Sequence, residues 1–431
     1  LHPSKAYLEI KGQLYNKTPQ AQTFLWWANP AVAVNNNTQS IFPPDVHAVM
    51  DHGKRDVSKF PIATGTYYKM DYSAGVDISR YKNIPVPTSY MAYHSDYNFV
   101  GGYDYGVKAG ILHVADHHIS PGKKQWTWGC GDFGKAWDRN LTDDDGPYIE
   151  LMTGVFTDNQ PDFAWLQPYE EKTFKQYFMP YKNVGVIKNA NINCAVGLDI
   201  IKTKATIGVY VTAIYKNANI VLSGKEKEYI NCKSQLSPKE TFALEVELDL
   251  GELESNLTLS VYRGDGKKLI SYTPEQQKDE LLPEPAKAIP AANKLKSNEA
   301  LYLAGIHLEQ YRHATYQPDS YYLEGLKRDK DDIRINNAYG SLLFRRGLFE
   351  ESIEYFKRAI KTNAMYNTNP RGGEPHYNLG LSLKYTGHLN EAYDAFYKSI
   401  WSASWQATGY YALAQIDCTR KDYDSRSESV V

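Results

Sequence analysis

The sequence lacks any run approaching the roughly 20 consecutive apolar residues of a membrane-spanning helix, and no basic-then-apolar signal segment opens it. No membrane span is therefore expected. Leu1 is not an initiator methionine, so upstream sequence is expected to precede it, with room there for a targeting segment, and the compartment stays open. An excess of one charge is missing too: 48 basic and 50 acidic residues leave a net charge of −2, which offers no field for nucleic acid or an anionic surface. Cysteine is sparse. Cys130, Cys194, Cys232 and Cys418 lie far apart without C-x-x-C spacing, which excludes a zinc ribbon and a dense disulfide framework and leaves free thiols as the expectation.

What is present is length and aromatic surface. At 431 residues the chain exceeds one ordinary core and predicts two to four domains. Its 35 tyrosines and 8 tryptophans suit surfaces that bind sugars or proteins. To about Val186 the pattern is short strands and long polar loops. In AYLEIKGQLY, Leu8, Ile10, Gly12 and Leu14 alternate with Glu9, Lys11 and Gln13, the period of a half-buried strand. The region reads as an all-β sandwich with elaborate loops. A second β unit runs from about Lys188 to Tyr272. There TFALEVELDL sets Phe242, Leu244, Val246, Leu248 and Leu250 on one face, and LTLSVYRGDGKKLISY predicts a hairpin turning at Gly264–Gly266. Its size fits a small immunoglobulin-like sandwich. A proline- and charge-rich linker follows, and everything from about Asn298 onward reads as helical.

The helical part repeats. Gly340 and Gly380 lie seven residues before Gly347 and Gly387, which lie nine before Phe356 and Phe396. This spacing resembles the tetratricopeptide repeat, in which a small residue lets two antiparallel helices approach and an aromatic fills the gap. The copies are offset by 40 residues rather than about 34, with MYNTNPRGGEP holding the extra ones. A degenerate copy precedes them, and another begins at TGYYALAQIDCTRKDYDS. In IHLEQYRHATY, His307, Gln310, Tyr311 and Ala314 share one helical face, expected to make an interdomain contact.

Reactive side chains crowd between His113 and Leu151. If HVADHH is a strand, His113 and His117 sit about 13 Å apart, too far to ligate one metal, whereas Asp116 and His118 are near neighbours. A carboxylate-held histidine is a candidate acid or base, a satisfied core or loop histidine the plainer alternative. A metal site there would need a helical segment, which Ser-Pro-Gly opposes; neither a metal nor a cofactor is expected. Trp126 and Trp128 flank Thr127, so both rings are expected on one strand face as a stacking platform, with a buried core pair as the alternative. Asp138 either pairs with Arg139 or joins Glu150 as a second carboxylate. Asp143, Asp144 and Asp145 suit a solvated turn better than calcium. His47, Asp51, His52, Lys54 and Arg55 form a further polar cluster in a loop that could cover the same pocket.

The chain as a whole resembles an uncharacterised family of large Bacteroidetes proteins, a domain-of-unknown-function module followed by tetratricopeptide repeats. The matching stretches include TFLWWANPAV, FPPDVHAVMDHGKRDVSKFPIATG, IPVPTSYMAYHSDYNFVGGYDYG, ADHHISPGKKQWTWG and AWDRNLTDDDGPYIEL. The resemblance implies a galactose-mutarotase-like β-supersandwich, here without its first strands, and a carbohydrate context. Sites of that type use a strand carboxylate as base and a histidine as acid, which singles out Glu150. The expected modules are a supersandwich over residues 1–187, an immunoglobulin-like sandwich over 188–273, a linker over 274–297 and tetratricopeptide-like repeats over 298–431. The expected function is carbohydrate binding or processing, as a glycoside hydrolase or epimerase. Glu150, His118 and Asp138 are the candidate catalytic groups, and Trp126, Trp128, Asp116, His117, His52 and Asp51 the candidate glycan contacts. The rival expectation is a non-catalytic scaffold whose repeats bind a protein partner. An enzyme requires Glu150 to converge with a histidine or a second carboxylate; a scaffold predicts them dispersed, with the larger groove in the helices.

Overall fold

The computed structural model describes residues 1–160, 162–276, 281–313 and 315–422. β-strands extend to Tyr272, interrupted by one α-helix, α1 (Asp132–Leu141). Seven α-helices follow among the described residues: α2 (Asn298–Tyr311), α3 (Asp319–Arg328), α4 (Ile333–Arg345), α5 (Phe349–Asn363), α6 (Glu374–Tyr385), α7 (Leu389–Ser399) and α8 (Gln406–Arg420). This is the β-then-α order that the periodicities predict. The chain divides into two compact units, the first Leu1–Leu14, Leu25–Ala164 and Lys172–Lys287, the second Tyr15–Phe24, Trp165–Glu171 and Ala288–Val431.

In the first unit two antiparallel sheets lie face to face. The five-stranded sheet runs in the order Leu8–Tyr15, Glu171–Lys182, Ala109–Val114, Phe99–Asp104, Thr38–Ile41. The six-stranded sheet runs Ala31–Ala33, Tyr148–Gly154, Gly122–Thr127, Thr88–Ala92, Ala48–Met50, Val57–Lys59. Val100 and Ile111 of the former pack with Val49, Tyr90, Ile149 and Leu151 of the latter, and each such aliphatic side chain taken from water stabilises the fold by about 1.5–3 kcal/mol. Neighbouring strands are close enough at one point to require glycine: a Cβ on Gly110 would stand 2.2 Å from the carbonyl oxygen of Gly102.

The second β portion, from Asn189 to Tyr272, is two four-stranded antiparallel sheets around one core that includes Val196, Ile207, Ile220, Leu259 and Val261. The predicted hairpin is present, Lys268–Tyr272 pairing with Thr258–Tyr262, and Gly266 takes the positive φ of +85° that the turn needs. One sequence expectation is corrected. The strand Phe242–Glu247 lies at a sheet edge and stops at Glu247, so Leu244 is half exposed and Leu250 almost fully exposed, and only Leu248 of that face is buried.

The second unit is built from helical hairpins α2/α3, α4/α5 and α6/α7, with α8 opening another. The glycine-to-aromatic spacing has a direct cause: a Cβ on Gly340 would lie 2.7 Å from Phe356 Cε1, and one on Gly380 would lie 2.7 Å from Phe396 Cδ1. In the first hairpin Gly305 meets Tyr322 in the same way, at 2.3 Å. Gly347 and Gly387 turn the chain between helices at φ +80° and +86°, where an L side chain is strained. The segments 15–24 and 165–171 belong to this unit although they arise within the β-rich sequence. Tyr377 donates its hydroxyl to the Pro19 carbonyl, Arg312 donates to Thr23 Oγ1 and its carbonyl, and the Tyr169 ring meets that of Tyr411. Nothing in the local sequence pattern announces this assignment. The His307 and Tyr311 rings of α2 lie against each other as the helical spacing predicts, tilted by 36° with centroids 4.1 Å apart; Ala314 and the end of the last repeat beyond residue 422 lie outside the described residues.

Candidate functional site

Adjacent strands of the six-stranded sheet build the first candidate cleft. Trp126 lies opposite Glu150 in register, so Lys124, Trp126, Tyr148 and Glu150 share one face while Gln125, Thr127, Ile149 and Leu151 face the other sheet. These four, with Trp128, His52, Trp27, Asn29 and Gln160, line a hollow of about 430 Å³. Asn29 donates to Glu150 Oε2 at 2.9 Å, Lys124 Nζ to Gln160 Oε1 at 2.8 Å, and Trp128 Nε1 to the Tyr148 hydroxyl at 3.2 Å. The tryptophans do line one cleft, but their planes meet at 87° and Trp128 stacks on Trp137 at 4.9 Å. The two rings therefore meet as a corner of the cleft, because Trp128 lies past the strand's last residue, Thr127, where alternation no longer fixes its direction.

Burial sets the electrostatics of this cleft. It raises the Glu150 pKa, opposed by the Asn29 hydrogen bond and the Lys124 charge. It pulls Lys124 down to about 8, with Glu150 opposing, and His52 down to about 4, where Lys124 adds to the effect and Asp51 opposes it. His52 is consequently a neutral imidazole at neutral pH, able to donate and accept one hydrogen bond each. A cleft with aromatic faces, a carboxylate, an amine and an imidazole can hold a polyhydroxylated ring by stacking and hydrogen bonds.

Asp51, expected as a ligand contact, faces its own loop. Its carboxylate accepts from the backbone N–H groups of Arg55 and Asp56 at 2.5 and 3.0 Å and pairs with the Arg55 guanidinium. Burial, which would raise its pKa, is outweighed by these donors, so the group is shifted down and stays ionised. His47 and Lys54 line a different hollow, of about 610 Å³, with Asp45, His94, Asp96 and Asp158.

Asp116, His117 and His118 border yet another cavity, of about 640 Å³, between the ends of the five-stranded sheet and Asn191–Ile192. The strand expected over HVADHH ends at Val114; Asp116–Ser120 form a turn closed by Ile119 and Ser120 N–H on the Asp116 carbonyl, since Ser-Pro-Gly cannot continue the ladder. Asp116 and His118 are neighbours as predicted, Oδ1 to Nδ1 3.0 Å. His113, by contrast, is enclosed between the sheets. Asp138 is buried in α1, is pushed up in pKa by that burial with Arg139 opposing, and lines none of these three cavities. Glu150, His118 and Asp138 therefore occupy three separate places rather than one centre. Asp143–Asp145 do not gather as a ligand cluster among the described residues.

Lys124 and Tyr148 were legible as strand neighbours of Trp126 and Glu150, but received no role from the sequence. Trp27, Asn29 and Gln160 arrive from loops distant in sequence, for which no local signal exists.

In the helical unit the first helices of successive hairpins lie side by side and are tied by polar side chains. Arg334 of α4 pairs with Glu299 of α2, and Arg345 with Glu309. Asn378 of α6 donates to Asn337 Oδ1 and Ser341 Oγ of α4 at 3.0 and 3.2 Å, and Lys384 of α6 to Gln415 of α8 at 2.5 Å. A hollow of about 780 Å³ lies between residues 291–293 and 315–324 of the same unit, with Tyr316 exposed on its wall. No helix among the described residues is long and apolar enough to cross a membrane.

Residues 1–183 match the family described as a domain of unknown function, DUF5107, and residues 189–272 match the second domain of YphG-like proteins. Among solved structures, a TPR-domain containing protein from Parabacteroides distasonis is similar over 100% of this chain and 59% of its own length, at 15% identity and a TM-score of 0.36. This chain thus spans less than two thirds of that protein. A MamA structure from Desulfovibrio magneticus is similar over 31% of this chain and 71% of its own, at 16% identity and a TM-score of 0.27. PilF from Pseudomonas aeruginosa is similar over 31% of this chain and 58% of its own, at 20% identity and a TM-score of 0.28.

Proposed function

We propose that this chain, in which a DUF5107 domain and a YphG-like second domain precede tetratricopeptide-like helices, is a protein-interaction scaffold whose helical array holds a protein partner. The observation that carries the reading is the stack of hairpins whose first helices present a continuous polar ladder, Glu299–Arg334, Glu309–Arg345 and Asn337–Asn378. The glycine–aromatic seams take up apolar surface between paired helices, and the half-exposed Glu299 and Arg334 leave charged groups for an extended chain to meet. Two further observations support it: the dispersal of Glu150, His118 and Asp138, and a hollow in the helical unit larger than the three in the β unit described above. The test places photo-crosslinking residues in the full-length protein at Arg334 and Lys384, on the ladder, and at Glu354, exposed on α5. The same protein should be captured from both ladder positions and not from Glu354, and should bind the purified chain with an affinity that Arg334→Ala, at a half-exposed position, lowers at least tenfold. Equal capture from all three positions, or none from the ladder, refutes the reading.

A second reading rests on the cleft of His52, Lys124, Trp126, Trp128 and Glu150, which suits a glycan. It fits the resemblance to a galactose-mutarotase-like supersandwich over 1–187, followed by an immunoglobulin-like sandwich over 188–273, a linker over 274–297 and repeats over 298–431. Here the domain acts as a lectin: of the three candidate catalytic groups Glu150 alone lines this cleft, with His118 on another cavity and Asp138 on neither. An oligosaccharide panel should give binding without turnover, weakened at least tenfold by Trp126→Ala and by Glu150→Gln. Binding that survives both substitutions removes the cleft from consideration.

A further inference from the structure

We infer that Asp116, His117 and His118 form an open binding site for a first-row divalent transition metal, with zinc the natural probe. The three residues offer one ligand atom each, all within 4.8 Å of one another, and among the described residues they are the one such group. At about 2.0–2.1 Å per bond, tetrahedral ligand atoms stand about 3.3–3.4 Å apart, so the widest-spaced of the three would draw in by up to about 1.4 Å on binding, within reach of side-chain rotation in a turn. Asp116 Oδ1 and His118 Nδ1, at 3.0 Å, already have the spacing of neighbouring ligands.

Consecutive residues rarely converge in this way. In a strand they alternate sides, and in a helix they fan by about 100°. Here the turn makes it possible, with Ser120 N–H on the Asp116 carbonyl at 2.7 Å curling the chain so that all three side chains leave it on one side. The His117 and His118 ring centroids are 4.0 Å apart.

The surroundings prepare the ligands. Asn98 Oδ1 accepts the backbone N–H of His117 at 2.9 Å and lies 2.8 Å from its Nδ1. An oxygen already accepting one N–H can only accept the second, so Nδ1 carries the proton and Nε2 presents its lone pair. Metal-binding histidines are held in this way by an outer hydrogen-bond acceptor. Asp116 Oδ1 likewise accepts the His118 backbone N–H at 3.0 Å, which orients the carboxylate while the second lone pair of that oxygen is left for a cation. Two imidazoles and one carboxylate favour zinc, cobalt, nickel or copper over the oxygen-seeking magnesium and calcium. Three protein ligands leave a position open, and it faces a cavity of about 640 Å³ that Lys11, Thr173, Tyr177 and Asn191 also line. A metal there would take its remaining ligand from solvent or from a small molecule in the cavity.

The experiment is calorimetric titration of the untagged full chain, stripped with chelator, with Zn²⁺ alone. One equivalent should bind with micromolar or tighter affinity. His117→Ala and His118→Ala should each weaken it at least 100-fold, and Asn98→Ala by 10- to 100-fold with recovery in Asn98→Asp, which still accepts the Nδ1 proton. All four substitutions lie in or beside an exposed turn, and unchanged circular dichroism confirms that the variants are folded. X-ray absorption of the Co²⁺ form supplies a second readout, with two imidazole nitrogens in the shell. Absence of stoichiometric Zn²⁺ binding, binding indifferent to both histidine substitutions, or a shell without two imidazoles overturns the inference.

Discussion

Acid should loosen the β-rich unit through the buried imidazole of His113. His113 is 1% exposed, its Nδ1 3.3 Å from the Leu151 carbonyl and its Nε2 3.0 Å from Gln176 Oε1 and 3.3 Å from Thr153 Oγ1. Burial lowers its pKa from 6.5 to about 4, against the weaker opposing effects of Leu151 and Gln176. In the unfolded chain the ring protonates near its ordinary value, so between pH 6.5 and 4 the unfolded state holds more protons and acidification favours it. The stability contributed by a neutral His113 is complete above about pH 6.5 and is lost as pH falls to about 4. At ~1.4 kcal/mol per pKa unit the loss is about 3 kcal/mol, a large part of a domain stability of ~5–15 kcal/mol. Carboxylates titrate over part of this range, so the test is a difference between proteins. Urea unfolding at pH 7.5, 6.0, 5.0 and 4.5 is followed by hydrogen exchange of peptides covering residues 109–127, corrected for intrinsic exchange at each pH. His113→Gln keeps a polar side chain but cannot titrate; it should begin less stable and then lose about 3 kcal/mol less than the natural protein across the interval. Parallel curves for the two proteins would refute the reasoning.

Three further substitutions test the packing. Gly380→Ala gains about 1 kcal/mol of helix propensity but drives a methyl to 2.7 Å from the fully buried Phe396, an overpacking cost of about 1–3 kcal/mol; net destabilisation of the helical unit is expected, with Phe396→Leu relieving it in a double-mutant cycle. Gly110→Ala meets a backbone oxygen that cannot rotate away, so a loss of more than about 2 kcal/mol, read as a lower urea midpoint of the β unit, is expected. Asp51→Ala strips the acceptor from two backbone N–H groups and should raise hydrogen exchange across residues 51–56 while leaving the helical unit unchanged.

The features visible in the sequence are those fixed by short-range geometry. Gly340 with Phe356 and Gly380 with Phe396 are sixteen residues apart because one helical hairpin must close on itself, and that constraint writes the period into the chain. Trp126 and Glu150 could be placed on strands from alternation, and their strands pair directly. Where alternation ends, so does the forecast: Trp128 lies one residue beyond its strand and turns onto Trp137, and Leu250 lies beyond its strand in solvent. The separation of His118 and Asp138 from Glu150 depends on sheet order and on the turn at Asp116, neither of which has a local signature. The metal geometry was hidden for the same reason, since treating HVADHH as strand or helix left out the turn that gathers its side chains.

The helical unit takes ten of its residues, Tyr15–Phe24, from within the β-rich part of the sequence. The carbonyl of Pro19 and the hydroxyl of Tyr377 that donates to it are 358 positions apart. A growing polypeptide must therefore carry segments 15–24 and 165–171 without their partners until α2, α6 and α8 have been made, and closing so long a loop is slow and entropically costly. During synthesis those segments are open to proteases and chaperones. No single cleavage of the finished chain yields the helical unit whole, so its repeats cannot be exchanged for another set without also redesigning the two segments that accompany them.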